Sequence, residues 1–370
     1  GYWVIAEIEQ PEGFVLSLEM HHVYVDSDGE TIEIVMTNEH IKGNVFLTKF
    51  DEDYPENKLT GAEFAVYRDV NGDGKLDDGD IFVANLKETE KGLYELKDLL
   101  YGKYLLLETV APEGFEKDET VYPFEIKENG ETVAIENKAG VGYFNRAQRG
   151  SLIIEKSSED GVLEGFEFVI EGTDFFGNAF SETYVTDADG KINVSMRPGN
   201  YTVYEKENDA NIRYVLPDSL TVEIKAGEDS TLMFVNNLKK GSVEFRKVDK
   251  ATGKPLAGVS FAIYDASKNL IAEGKTDADG MLRFDNIAYG NYFWQETATV
   301  DGYIAESGYH EFSVTENGQV LEFTVENEPV PDVPKTGDNS NLPLWFGLLT
   351  LSGGTLAGLL LFDKKRRCKA

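Results

Sequence analysis

Apolar and polar residues alternate with a period of two along nearly all of residues 1–328. That pattern is the mark of a half-buried β-strand, whose successive side chains point to opposite faces. Runs such as Gly43-x-Val45-x-Leu47-x-Lys49 and Gly102-x-Tyr104-x-Leu106-x-Glu108 are separated by Gly, Pro and Asp/Asn turns. Thr186-Asp187-Ala188-Asp189-Gly190 and Thr276-Asp277-Ala278-Asp279-Gly280 are two of these turns. Short strands at this density, with almost no helical periodicity, predict an all-β chain of tandem β-sandwiches. The pattern changes only at Leu342–Phe362, an uncharged apolar stretch. As a helix it would be about 31 Å long, enough for the hydrocarbon core of a bilayer.

The strand pattern also repeats on a longer scale. Three segments open alike, at Gly43–Lys49, Gly150–Lys156 and Gly241–Lys247. Each continues to a strand ending in Glu, at Glu108, Glu205 or Glu296, and closes on a strand ending in Asn, at Asn137, Asn236 or Asn327. The Glu-to-Asn spacing is 29 residues in the first unit and 31 in the other two. Trp3-x-Ile5-x-Glu7 and Ile34-x-Met36-x-Asn38 form a fourth copy of the second half only. The expected organisation is therefore a half domain at 1–40, domains at 41–139, 150–239 and 240–328, and a linker at 140–149. Beyond them come a Pro-rich linker at 329–341, the apolar span at 342–362 and a basic tail at 363–370. The half unit lacks its lysine strand and is expected to be poorly ordered alone.

Strand parity fixes where the repeated polar residues point. Lys49 shares the parity of Val45 and Leu47, so it faces the core, and the same holds for each Glu and Asn named above. One alternative is that these residues snorkel from strand ends or form ordinary buried ion pairs. The other is chemical. Burial lowers a lysine pKa and raises that of a glutamic acid. A neutral lysine amine then attacks the Asn amide carbon, the Glu shuttles protons, ammonia leaves, and a Lys–Asn isopeptide bond remains. Each bond forms once, within its own domain, so the chain is not an enzyme.

With those residues in view, the units resemble the SpaA, or collagen-adhesin B-type, repeats of Gram-positive adhesins and pilins. Leu107-Glu108-Thr109-Val110-Ala111-Pro112-Glu113-Gly114-Phe115 is similar to the phrase around that family's catalytic Glu. The resemblance implies Ig-like, prealbumin-like sandwiches whose first and last strands are neighbours. It also implies bridges Lys49–Asn137 with Glu108, Lys156–Asn236 with Glu205, and Lys247–Asn327 with Glu296. The second unit departs most from the family pattern. Glu205 is followed by Lys206-Glu207-Asn208, and Asn237 stands beside Asn236 as a rival acceptor.

Composition narrows the class further. There are 67 acidic against 35 basic residues, a net charge of −32, which excludes nucleic acid as a partner. The only cysteine is Cys368, so disulfides and thiolate chemistry are absent upstream of the tail. The sequence opens Gly-Tyr-Trp and reads as a fragment whose start lies further upstream. Lys364-Lys365-Arg366-Arg367 behind the apolar span marks a cytoplasmic side and places residues 1–341 outside. Val333-Pro334-Lys335-Thr336-Gly337 precedes the span. Pentapeptide, span and basic tail together resemble a cell-wall sorting signal of the LPXTG type, with Val for the usual Leu. That resemblance implies cleavage between Thr336 and Gly337 by a sortase. The Thr would be joined to peptidoglycan or to another pilin subunit, and the protein would be anchored in the cell wall.

One segment suggests a cofactor. Asp69, Asn71, Asp73, Lys75 and Asp80 stand at positions 1, 3, 5, 7 and 12 of a loop with Gly74 at position 6, the spacing of a Ca2+ loop. Its flanks look like strands and not helices, so weak calcium binding competes with an Asp/Gly-rich hairpin tip. No other cofactor is required. The functional reading is the stalk of a sortase-anchored adhesin or pilin. The alternatives are modules that bind a host or glycan ligand, or the anchoring region of a surface enzyme whose catalytic domain lies upstream. No His in the chain stands in a triad or metal-ligand spacing.

Overall fold

The structure is a computed structural model and describes residues 1–331. The sorting pentapeptide 333–337, the apolar span 342–362 and the basic tail lie outside the described residues. All regular structure among the described residues is β. The chain divides into two bodies, residues 1–239 and the part from Lys240 onward.

In the second domain the lysine strand Gly150–Ser158 lies at the centre of one sheet. It pairs antiparallel with Lys191–Met196 and parallel with the asparagine strand Asp229–Leu238. The glutamate strand Gly199–Glu205 lies in the facing sheet, between Glu167–Asp174 and Leu220–Ile224. The third domain repeats this plan. Lys240–Asp249 lies between Met281–Ala288 and the parallel strand Val320–Pro329, facing a sheet built around Gly290–Ala298. First and last strands are thus parallel neighbours, as the prealbumin-like resemblance implies. Two inner faces supply each core, with fully buried aromatics such as Phe166, Phe168 and Phe234 in the second domain and Phe245 and Phe261 in the third. Burying one such side chain contributes about 1.5–3 kcal/mol.

The first domain differs at its closing strand. The lysine strand Lys42–Asp51 pairs antiparallel with Leu93–Leu100, and the glutamate strand Gly102–Val110 sits in the facing sheet. Its parallel neighbour is broken in two. Thr132–Ala134 pairs with Asn44–Phe46, the chain loops out, and Tyr143–Asn145 returns to pair with Lys49–Asp51. The expected boundary at 139 and the linker at 140–149 are therefore corrected. Residues 143–145 complete the sheet, and buried Ala147 packs with Leu59 and Phe115. The insertion escaped the sequence pattern because Val133-x-Ile135-x-Asn137 imitates the closing run of the other units.

Residues 1–40 form a hairpin of Tyr2–Ala6 with Met20–Tyr24, and the stretch carrying Asn38 adds no regular strand. Tyr2, Trp3, Val4, Ile5 and Met20 are exposed, as expected for half a sandwich without its facing strands.

Candidate functional site

Each lysine strand is seated by a turn glycine. The backbone N–H of Lys49, Lys156 and Lys247 donates to the carbonyl of Gly92, Gly190 and Gly280, at 2.8, 2.8 and 2.7 Å. These glycines have φ of 69°, 74° and 72°. A Cβ on Gly190 or Gly280 would stand 2.6 or 2.4 Å from the lysine carbonyl oxygen, so the DADG turns require glycine for both reasons. The side chains then point inward. Lys49 and Lys247 are 0% exposed.

In the third domain the lysine, glutamate and asparagine meet as expected. Lys247 Nζ lies 3.1 Å from Glu296 Oε2 and donates to Asn327 Oδ1. Asn327 Nδ2 donates to Glu296 Oε1 at 2.7 Å and to Thr299 Oγ1 at 2.7 Å. Burial lowers the Lys247 pKa against the hydrogen bond and charge of Glu296.

In the first domain the asparagine that meets Lys49 and Glu108 is Asn145, not Asn137. Lys49 Nζ lies 2.9 Å from Glu108 Oε1 and donates to Asn145 Oδ1, while Asn145 Nδ2 donates to both Glu108 oxygens at 2.9 Å. Asn137 instead holds the returning strand, exchanging hydrogen bonds with the backbone of Phe144, each 2.7 Å. The reason is register. In every domain the asparagine pairs with the residue two beyond the lysine: Asp51 with Asn145, Ser158 with Asn236, Asp249 with Asn327. The strand holding Val133 opposite Val45 would put Asn137 two places short. Burial pulls the Lys49 pKa down to about 8, opposed by Glu108. Its amine sits 3.9 Å from the centre of the buried Tyr143 ring.

The second domain has the same parts in an open arrangement. Asn236 Nδ2 donates to Glu205 Oε1 at 2.7 Å, but Lys156 Nζ donates to the carbonyl of Ser157 at 2.6 Å. Asn236 Oδ1 and Glu205 Oε2 are left buried without partners. In the other two domains the lysine amine contacts the matching carboxylate and carboxamide oxygens, so the two orphan acceptors mark the place this amine leaves empty. Burial pulls the Lys156 pKa to about 8 as well, opposed by Glu205. Asn237 lies outside this cluster: it is exposed and pairs with Val215.

Two further groups belong to each site and were missed from sequence. A buried phenylalanine faces each glutamate across the sheet: Phe64 with Glu108, Phe168 with Glu205, Phe261 with Glu296. A donor on the following loop also holds each carboxylate. It is the backbone N–H ten residues on at Asp118 (2.7 Å) and Glu306 (3.1 Å), and the buried Asn211 side chain (2.9 Å) in the second domain. The Phe three residues after Gly61, Gly165 and Gly258 was available as a signal. The loop donor was not, because a backbone N–H carries no residue identity. In the half unit Glu7 and Asn38 are already joined, Asn38 Nδ2 lying 2.8 and 2.7 Å from the Glu7 oxygens, and Ser17 N–H supplies the donor ten residues on.

The acidic loop is bonded as a hairpin tip. Asp69 accepts from the N–H of Gly72 and Gly74, Asn71 from Asp73, Asp73 from Lys75, and Asp80 from Val70 and Asp77. Among the described residues no three His, Cys, Asp or Glu side chains are grouped to hold a metal.

Comparison with known proteins supplies the wider context. The family model described as SpaA, prealbumin-like fold domain, matches residues 43–139, 150–238 and 241–329. Serine-aspartate repeat-containing protein F of Staphylococcus epidermidis is 24% identical over 321 residues, 72% of this chain and 20% of that protein. The chain thus spans about a fifth of the length of the curated relatives it matches. Among solved structures, the Bacillus anthracis TIE protein is 27% identical with a TM-score of 0.58, covering 84% of this chain and 54% of that one. BcpA, the major pilin subunit of Bacillus cereus, is 18% identical with a TM-score of 0.37, covering 78% of this chain and all of that one.

Proposed function

Because this chain belongs to the family of SpaA domains with the prealbumin-like fold, we propose that it is the stalk of a Gram-positive surface protein, an adhesin or pilin subunit, riveted by Lys–Asn isopeptide bonds. The observation that carries this reading is a fully buried lysine amine touching both a carboxylate and a carboxamide, in the same register, in two separate domains. The pairs are Lys49–Asn145 and Lys247–Asn327. Lys156–Asn236 closes once its amine turns from Ser157 into the place marked by the two orphan oxygens.

In the reaction the lysine passes a proton to the glutamate, and the free amine attacks Cγ of the asparagine. The glutamic acid gives that proton to Nδ2, which leaves as ammonia, and the freed carboxylate takes the second proton from the new amide nitrogen, so one C–N bond forms, one breaks and the amide is left neutral. Phe64, Tyr143 and the rest of the core exclude water. Asn145 lines a cleft open to solvent beside Asp118 and Arg146, and Asn327 lines another beside Glu306 and Lys250, which gives the ammonia a way out. Sortase processing at Thr336–Gly337 would then fix the stalk outside the cell, to peptidoglycan or to another pilin subunit.

Intact mass spectrometry of the full chain tests the reading. One ammonia is lost per closed site: two from the first and third domains, and a third from any fraction in which Lys156 has turned. A mass equal to the plain sequence overturns it. The pH dependence is also defined. Ion pair and neutral pair hold the same single proton, so bond formation in the first domain stays level up to about pH 8. Above that it declines, as Lys49 loses the proton the leaving group needs. Rates from freshly synthesised protein between pH 7 and 10 check the sign, and a rate that climbs through pH 8 contradicts proton sharing.

A further inference from the structure

The acceptor strand of the first domain is much less supported than its counterparts. Asn236 and Asn327 lie in ten-residue strands with eight register pairs to the lysine strand, whereas Tyr143–Asn145 has three. The residue facing each asparagine differs accordingly. In the third domain it is Asp249, held within its own domain by Tyr303 Oη at 2.7 Å and by the N–H of Ala251 and Thr252. In the first it is Asp51, which also accepts from the backbone N–H of Asp53 and Tyr54 in its own loop, where the place of the tyrosine hydroxyl is taken by a cation. Arg197 of the second domain takes that place.

Arg197 is 5% exposed and uses all five of its donors. Nη1 and Nη2 fork onto the two oxygens of Asp51, the first at 2.8 Å. Nε and Nη2 reach Asp53 Oδ2 at 2.9 and 2.8 Å, and Nη1 reaches Asp174 Oδ2 at 3.3 Å. Tyr54 lies against the guanidinium, its ring centre 4.7 Å away. Phe176 of the second domain packs on Phe115 of the first at 4.9 Å, beside the contact of Asn57 with Asn178 at 3.1 Å. Arg149 adds a second cation to Asp53, at 2.7 Å. Without Arg197, Asp51, Asp53 and Asp174 would crowd together largely uncompensated, and the strand end that holds Asn145 in register would come free.

We propose that Arg197 is a positioning residue for bond formation in the neighbouring domain: docking of the second domain on Asp51 and Asp53 sets the strand register in which Lys49 meets Asn145. This rests on the isopeptide reading above, and it gives the stalk an order of maturation. The first domain closes after the second has folded against it, while the third closes independently.

The test follows bond formation in the full chain during timed cell-free synthesis, by mass spectrometry of the branched peptides Lys49–Asn145 and Lys247–Asn327. Arg197→Ala is expected to slow the first branch at least tenfold and leave the second branch at its wild-type rate. Asp53→Asn, which leaves the second domain's sequence intact, is expected to slow the first branch several-fold. Adding it to Arg197→Ala should cost little more, because both act through one contact. An unchanged first branch in Arg197→Ala overturns the proposal but not the isopeptide reading. So does slowing that appears only with an unfolded second domain while Asp53→Asn reacts normally. Absence of both branches in the wild type overturns the isopeptide reading itself.

Discussion

Replacing Glu108 with Gln is expected to leave Lys49 and Asn145 unjoined while the Lys247–Asn327 bond forms normally. Gln keeps the shape of the side chain but cannot carry the proton from the lysine to the departing nitrogen, a role worth about 10²–10⁴-fold in rate. It also leaves a buried ammonium 3.9 Å above the Tyr143 ring with no carboxylate to answer it. Breaking such a pair costs about 3–5 kcal/mol. The cross-link would have closed a loop between residues 96 apart, worth about 4–5 kcal/mol on the chain-entropy model used for disulfides. At roughly 4–8 °C per kcal/mol for a domain of this size, the bond alone should move the first domain's melting point by about 20 °C or more. Calorimetry of the full chain should show one transition displaced and the third domain's transition in place. A first-domain peptide still branched at Lys49 would remove the glutamate from the mechanism.

The second large effect separates the two asparagines. Asn145→Ala removes the acceptor, so the first domain should lose no ammonia and should melt as low as the Glu108 variant. Asn137→Ala should still form the bond. It gives up two hydrogen bonds to Phe144, about 1 kcal/mol each, a modest loss beside that of the cross-link. Tandem mass spectra of the branched peptide locate the junction directly. A junction at Asn137 would show that the returning strand does not hold the register described here.

These two variants also show what could be read from the chain alone. Period-two alternation was enough for the all-β sandwiches and for the inward direction of Lys49, Lys156, Lys247 and the three glutamates, because strand parity is a local property. Asn327 and Asn236 followed from the same parity. Asn145 did not, because register across a parallel pair is set by the partner strand, and a loop between residues 135 and 142 moves it without disturbing alternation on either side. The Glu-to-Asn spacing held the warning: 29 residues from Glu108 to Asn137 against 31 in the other two domains. Arg197 was silent for the same reason. It stands in Ser195-Met196-Arg197-Pro198-Gly199, and only the packing of one domain on another gives it the carboxylates of Asp51 and Asp53.

The parked amine of Lys156 has a consequence for how such a fibre would yield under load. Where the amine is joined to its asparagine, tension crosses from first strand to last, and everything between them stays slack. In the first domain that shields roughly 300 Å of contour. Until Lys156 turns, the second domain has no such shortcut. It would pay out its length while the first and third stay taut, an elastic reserve built into an otherwise inextensible cable.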